Sequence, residues 1–586
     1  MLKIETALTA LALLMAWLCP EIGSRWFAQI EKKFAAFASH RVRTTIIVGI
    51  SALILRAALL PIDPIPEPVV HDEFGYLLAA DTFAHGRLTN PTHPMWMHFE
   101  SFSILQRPTY QCFAQPAQGL VLALGKLVFG HPFWGVWLSV GVMCSAITWA
   151  LQAWLPLDWA LLGGVLAVLR FGVFGYWADS YWGGAIGAIG GALVLGCLPR
   201  IQKFQRVRDA IILGLGLALL ANSRPYEGFV FCIPFAIAIN LWLVGKKRPP
   251  ASVCCYRVIL PLSIVVIITG AWMGYYFWRV TGSPLRMPYQ LERQTYAAAP
   301  YLIWQHPPAT VLVYHSEAMK QLYVDGEYAR YKAARTPIGF VYIQAKKIGD
   351  FWSFFLGPVL SFPFLILLFT LPYDFSWRDL SAHSRFLLST LAFTLVCMSA
   401  EIIFSPHYAA PLTTLILLLA ILALRRVRER SISRHSVGVF LSRAVVFIVI
   451  AMLALRASAG ILHVSIDSHV AAAWHQQNLP SFGRAEIIRR LQNVRGPILV
   501  LVHYGSKHSP FDEWVYNDAD IDHAKVVWAR DLGTCENEKL FSYFKSRNLF
   551  LLEADENPPA LKTVDSAALD SCTPGKSSEM VVEGGR

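Results

Sequence analysis

The sequence predicts an α-helical polytopic membrane protein, with about twelve transmembrane helices and a small α/β extracytoplasmic domain at its C-terminal end. Three observations carry this. Of 586 residues, 55% are hydrophobic and only 15% charged, where a water-soluble domain averages about 25% charged. Apolar stretches long enough to cross about 30 Å of hydrocarbon recur through the first 463 residues and stop there. The charge balance changes at the same place, since 17 of the 39 acidic residues follow position 464 against 13 Lys and Arg. The net charge of +12 therefore belongs to the apolar part, in short loops where basic residues set orientation. That placement argues against nucleic acid as a partner and for membrane lipids.

The apolar run Leu8 to Leu18 follows a single lysine with no clean cleavage pattern after it, and is read as a retained first helix. Ile22 to His40 is amphipathic, with Trp26, Phe27, Ile30, Phe34 and Phe37 on one side and Arg25, Lys32 and Lys33 elsewhere. It reads as a helix lying on the inner membrane surface. Further spans are expected at 44–61, 133–154, 158–176, 183–198, 209–222, 228–244, 257–278, 351–371, 385–404, 408–424 and 441–462. With Arg41 and Arg43 inside, alternation places the basic runs 200–208, 246–248 and 425–430 inside as well. It leaves two long hydrophilic insertions, 62–130 and 279–350, and everything after 464 on the outer side.

The expected organisation is thus a membrane domain over 1–463 and an outer domain over 464–586. In the outer domain, 497–503, 524–529 and 548–553 are short β-prone runs separated by helical patterns such as Arg484–Gln492 and Asn537–Phe544. Strand–helix alternation predicts an α/β unit. Its two cysteines, Cys535 and Cys572, are placed for a disulfide if that side is oxidising. Asp518, Asp520 and Asp522 alternate, but the Gly and Glu of a calcium loop are missing. A polar loop is the better account.

The stretch richest in chemistry lies in the first insertion. His71, Asp72 and Glu73 open a helical pattern that continues through Phe74, Tyr76, Leu77, Leu78, Ala79, Ala80 and Asp81 to Gly86. Neighbours on a helix point about 100° apart, so the two acids cannot serve one atom equally. One can face a cavity while the other anchors the loop. The bland alternative is a helix N-terminus, where acids favour the macrodipole.

This stretch resembles the first extracytoplasmic loop of the GT-C membrane glycosyltransferases, in particular the family 39 protein O-mannosyltransferases and the aminoarabinose transferases of lipid A. The shared features are Asp72-Glu73, Tyr76, Ala79-Ala80 and Gly86, with a layout of first span, large outer loop, helix bundle and outer domain. The resemblance implies a sugar donor on a polyprenyl phosphate and an acceptor that is a protein, a lipid or a glycan. A prokaryotic inner membrane is the expected setting, as no eukaryotic sorting signal is read in the sequence. A phosphate leaving group needs little acid help, so the chemistry asks for a base and for cations. Asp72 is assigned as the base of an inverting transfer, with Glu73 the alternative.

For the cations, Arg224 in Asn222-Ser-Arg-Pro-Tyr-Glu-Gly228 ranks first, then Arg107, Arg286 and Arg293 in the outer loops. An interfacial anchor is the competing account of Arg224. Substrate-binding candidates are Tyr226 and Glu227 beside it, Asp179 in an aromatic outer turn, and His407 and Tyr408. Tyr408 with Pro411 resembles a Tyr-x-x-Pro segment of the aminoarabinose transferases, where an Arg commonly stands in the place of His407. Glu401 is read as pairing with His407. The glycines 183, 184, 187, 190 and 191 are read as close helix packing. A divalent cation is left open, with His71 beside Asp72 and Glu73 as a nitrogen-and-oxygen start whose remaining ligands are not readable. The rival functions are a transporter or flippase, or a non-sugar cell-envelope-modifying transferase. Against transport, the ionisable residues gather at outer helix ends rather than at mid-membrane.

Overall fold

A computed structural model describes all residues except 246–247, 309–311, 371, 373–375, 430–434, 465, 467–473, 475–482, 565–579 and 583–586. The chain divides into two compact units, one of residues 1–66, 136–270 and 343–477 and the other of 67–135, 271–342 and 478–586. The two hydrophilic insertions and the C-terminal segment thus fold together.

The first unit is helical. Each expected span has a helix at its place, because each apolar run satisfies its backbone polar groups internally, as hydrocarbon requires. Among the described residues six helices are long and apolar enough to cross a membrane: Phe133–Leu151, Ala185–Phe204, Pro225–Val244, Ala251–Thr281, Pro406–Glu429 and Val437–Ala457. The other expected spans are shorter or less apolar, including Leu2–Leu18 with 17 residues and Leu157–Phe171 and Val207–Ala221 with 15 each. Among the described residues, length and apolarity alone thus mark six spans of the expected twelve, or seven with a bent pair counted as one.

The span expected at 351–371 is broken. Pro337–Phe355 and Gly357–Phe369 meet at an angle of 101°. Gly357 takes a positive φ of 57° and Pro358 opens the second helix, a pairing that ends one helix and starts another. A side chain at Gly357 would also press on Arg170 and Glu5, 2.7 and 2.8 Å away. The glycine-rich helix Ala185–Phe204 packs as its spacing predicts, since a Cβ at Gly191 would sit 2.0 Å from the Pro411 carbonyl oxygen. The amphipathic helix Ser24–Ala38 is held by Glu31, which accepts from Arg428 at 2.9 Å and Arg443 at 3.0 Å.

The second unit contains a four-stranded sheet in the order Val526–Arg530, Ile498–His503, Asn548–Glu553, Ala560–Thr563. The first three strands are parallel and the last antiparallel. Ile498–His503 is central and buried on both faces, which is why it reads as a continuous apolar run rather than an alternating one. One face packs Ile498, Val500 and Val502 against Ile487, Leu491 and Trp514. The other packs Leu499 and Leu501 against Phe74, Leu78, Phe99 and Ile104 of the first insertion. That face of the sheet is thus completed by residues some four hundred positions away in sequence. Cys535 is disulfide-bonded, and Cys572 lies outside the described residues.

Candidate active site

Asp72 and Glu73 stand in the first turn of the helix His71–Ala84, and their roles separate as their angular offset requires. Glu73 is fully buried and its Oε2 accepts from the N–H groups of Val69 and Val70, each at 2.9 Å. It is a capping carboxylate that satisfies orphan donors at the helix start. Asp72 points the other way and is only partly buried. Ser103 donates to its Oδ1 at 2.6 Å.

Ser103 is the residue that sequence reasoning missed. Its φ is +61°, a left-handed conformation that a non-glycine residue holds only when its surroundings demand it. The demand is visible at Gly75, one turn along the helix, where a Cβ would lie 2.8 Å from the Ser103 carbonyl oxygen and 3.1 Å from Cys112 Sγ. Gly75 lets the 101–103 turn approach the helix, and that approach brings the Ser103 hydroxyl to Asp72. No spacing rule in the sequence announces this.

His71 is held against the C-terminal segment. Its Nδ1 lies 2.7 Å from the Tyr516 hydroxyl, and its ring packs between Phe102 at 4.3 Å and Phe511 at 6.0 Å. Burial pushes its pKa down to about 4 against the opposing pull of Glu513 and Asp72. It is a neutral docking residue at neutral pH. Among the described residues no group of three His, Cys, Asp or Glu side chains is gathered to hold a metal ion.

The loop arginines differ in how they are used. Arg107 is exposed and stacks over the Trp96 ring at 4.1 Å. Arg286 is exposed. Arg293 donates to Glu327 at 2.6 Å and to the Ala299 carbonyl at 2.7 Å. Next to it Glu292 is buried, accepts from Tyr323 at 2.5 Å, and is pushed up to about 7 by burial in spite of Arg293 and that hydrogen bond.

In the helical unit, Arg224 stands at the N-cap position of Pro225–Val244, without a side-chain capping bond. Its guanidinium stacks over the Tyr408 ring at 4.5 Å and reaches Glu227 Oε1 at 4.0 Å. The Tyr226 hydroxyl donates to the Cys397 carbonyl at 2.9 Å. Arg224, Tyr226, Glu227 and Tyr408 therefore lie together, as the sequence positions at outer helix ends suggest. Lys347, which sequence reasoning placed in a loop, joins this end of the bundle by donating to the carbonyls of Glu401 and, at 3.3 Å, Ser399.

The expected pairing of Glu401 with His407 does not form. His407 is fully buried, with its backbone N–H and its Nδ1 both 2.8 Å from the Tyr176 hydroxyl and its ring 4.6 Å from Trp182. A buried tyrosine offering one donor and one acceptor satisfies the histidine better than an isolated carboxylate would. Asp179 is likewise buried, and it is paired with Arg56 at 2.8 Å. Arg56 and Arg456 also reach Asp63, at 3.9 and 3.5 Å, so a four-membered ionic network occupies that turn.

No family model matches the sequence, and no curated protein matches it. Solved structures similar to the chain are GT-C glycosyltransferases. ArnT from Cupriavidus metallidurans bound to undecaprenyl phosphate is 13% identical, with 92% of this chain and 97% of that one covered and a TM-score of 0.44. The Archaeoglobus fulgidus oligosaccharyltransferase tethered with an acceptor peptide is 10% identical, with 86% and 69% covered and a TM-score of 0.41. AglB from the same organism in complex with an inhibitory peptide and a dolichol-phosphate is 11% identical, with 87% and 69% covered and a TM-score of 0.37.

Proposed function

We propose that the chain is a membrane glycosyltransferase that moves a sugar from a polyprenyl-phosphate donor to an acceptor on the outer side of a prokaryotic inner membrane. The observation that carries this reading is Asp72, a partly buried carboxylate oriented by a strained serine while its neighbour Glu73 does the capping. A purely structural acid pair would have no use for that division. In the proposed step the acceptor oxygen attacks the anomeric carbon and its proton passes to Asp72. The bond from that carbon to the phosphate oxygen breaks on the opposite face, and polyprenyl phosphate leaves with the electron pair. One carboxylate suffices, and the product is inverted.

Arg224, held by stacking on Tyr408, is proposed to meet the donor phosphate, with the exposed Arg107 and Arg286 next in rank. The polyprenyl chain has room in the helical unit. A cavity of about 740 Å³ there is almost wholly apolar and is lined by residues including Leu13, Phe351, Phe362, Leu391 and Leu419. The sugar is not specified by any group described.

The test is transfer of a radiolabelled sugar from a set of polyprenyl-phosphate donors by the purified protein in proteoliposomes, with the anomeric configuration of the product read by NMR. Inverted product from at least one donor, reduced about a hundredfold in Arg224→Ala, is the expected result. Retained configuration would remove the single-base mechanism, and no transfer from any donor would remove the reading.

A further inference from the structure

The segment Tyr504–Glu513 follows the central strand of the C-terminal sheet and is built as a pinned loop. At its root the Tyr504 hydroxyl donates to the Glu513 carboxylate and accepts from the Trp514 N–H at 3.0 Å. Glu513 is in turn paired with the buried Arg530 at 2.7 Å, which with Tyr504 holds its pKa below the usual carboxylate range although burial alone would raise it. In mid-loop, His508 Nδ1 lies 2.7 Å from Asp555 Oδ1, and the Gly505 N–H donates to Asp555 Oδ2 at 2.7 Å. Loops with closed, internally bonded ends of this kind carry function more often than fold.

What the pinning presents is Phe511. Its side chain is 63% exposed, yet its ring lies nearly parallel to His71, at 19° and 6.0 Å between centroids. His71 directly precedes Asp72. Phe511 is the one large apolar side chain in 505–512, and Ser506, Lys507, Ser509 and Asp512 surround it in sequence. A lipid-facing surface would be contiguous and apolar. An exposed aromatic ring in a segment rich in hydroxyl, ammonium and carboxylate side chains suits a ring with one apolar C–H face and a hydroxylated rim.

We propose that the loop Tyr504–Glu513 is the acceptor subsite of the transferase, and that the group it receives is a saccharide ring stacked on Phe511. This rests on the glycosyltransferase reading for its reaction, but not for its binding. Hydroxyls on the rim meet the carboxylate of Asp512 or the exposed Asp555, and one hydroxyl of the stacked ring is the nucleophile delivered toward Asp72.

Two measurements on the full-length protein test it. The first is binding of wild type, Asp72→Asn, Phe511→Ala and Phe511→Trp to an array of neutral and acidic oligosaccharides. The second is transfer of labelled sugar, with products split into glycan, lipid and protein fractions. Wild type, Asp72→Asn and Phe511→Trp are expected to bind saccharide, and Phe511→Ala to lose about tenfold in affinity. In transfer, label is expected in the glycan fraction, with the acceptor KM raised about tenfold in Phe511→Ala and the donor KM unmoved. Saccharide binding that depends on Phe511 without any transfer would keep the subsite and overturn the transferase reading. Transfer into protein or simple lipid, or equal binding by wild type and Phe511→Ala, would overturn the subsite.

Discussion

At the scale of single residues, the account turns on which acid does what. Glu73 closes a helix start, so Glu73→Gln is expected to lower stability by about 1 kcal/mol with a small effect on turnover at a temperature where the variant is folded. Ser103 is proposed to position Asp72, to which it donates at 2.6 Å. Ser103→Ala is expected to lower kcat about tenfold, with the donor KM unchanged, and Ser103→Thr to restore part of it; equal kcat in wild type and Ser103→Ala would remove Ser103 from the mechanism. His71 makes a pH-dependent contribution whose sign follows from its depressed pKa. The unfolded chain takes up its proton near 6.5 and the folded one only near 4, so its neutral-form stability is complete above about pH 6.5 and is lost as pH falls toward 4, by up to about 3 kcal/mol. Glu292, raised to about 7, works the opposite way between its unfolded value and 7. Comparing melting temperatures of wild type and His71→Gln at pH 7 and pH 5 isolates the histidine: the loss on acidification is expected to be smaller in the variant.

At the scale of elements, what periodicity governs is legible in the sequence and what tertiary contact governs is not. Every apolar run became a helix, because hydrocarbon leaves the backbone no alternative. The break at Gly357 was signalled by its Gly-Pro pair but hidden by the apolar residues on both sides, which read as one run. The Asp72–Glu73 division was foreseeable from helical geometry. Ser103 was not, since its role depends on a close approach at Gly75. Gly75→Ala tests that approach directly. The added methyl has to push back the 101–103 turn, and a loss of about 1–3 kcal/mol is expected, with a kcat loss resembling that of Ser103→Ala. Stability and kcat both unchanged would show that the turn can yield without moving the serine.

At the scale of the molecule, the division expected at position 463 came from composition, and composition does not report which surfaces share a core. The C-terminal sheet covers one of its faces with Phe74, Leu78, Phe99 and Ile104 of the first insertion. A chain truncated before Arg484 would expose those side chains, and it is expected to lose Asp72-dependent transfer altogether rather than to keep a weakened activity. The orientation argued from the basic loops makes a separate prediction, that a tag fused after Arg586 is accessible from outside in intact spheroplasts. The central claim is that Asp72 is the base, and one measurement bears on it most directly. It is the rate of labelled-sugar transfer by Asp72→Asn in proteoliposomes, at a temperature where its melting curve matches that of wild type. A fall of about 10² to 10⁴ is the result predicted here; transfer at the wild-type rate would contradict it.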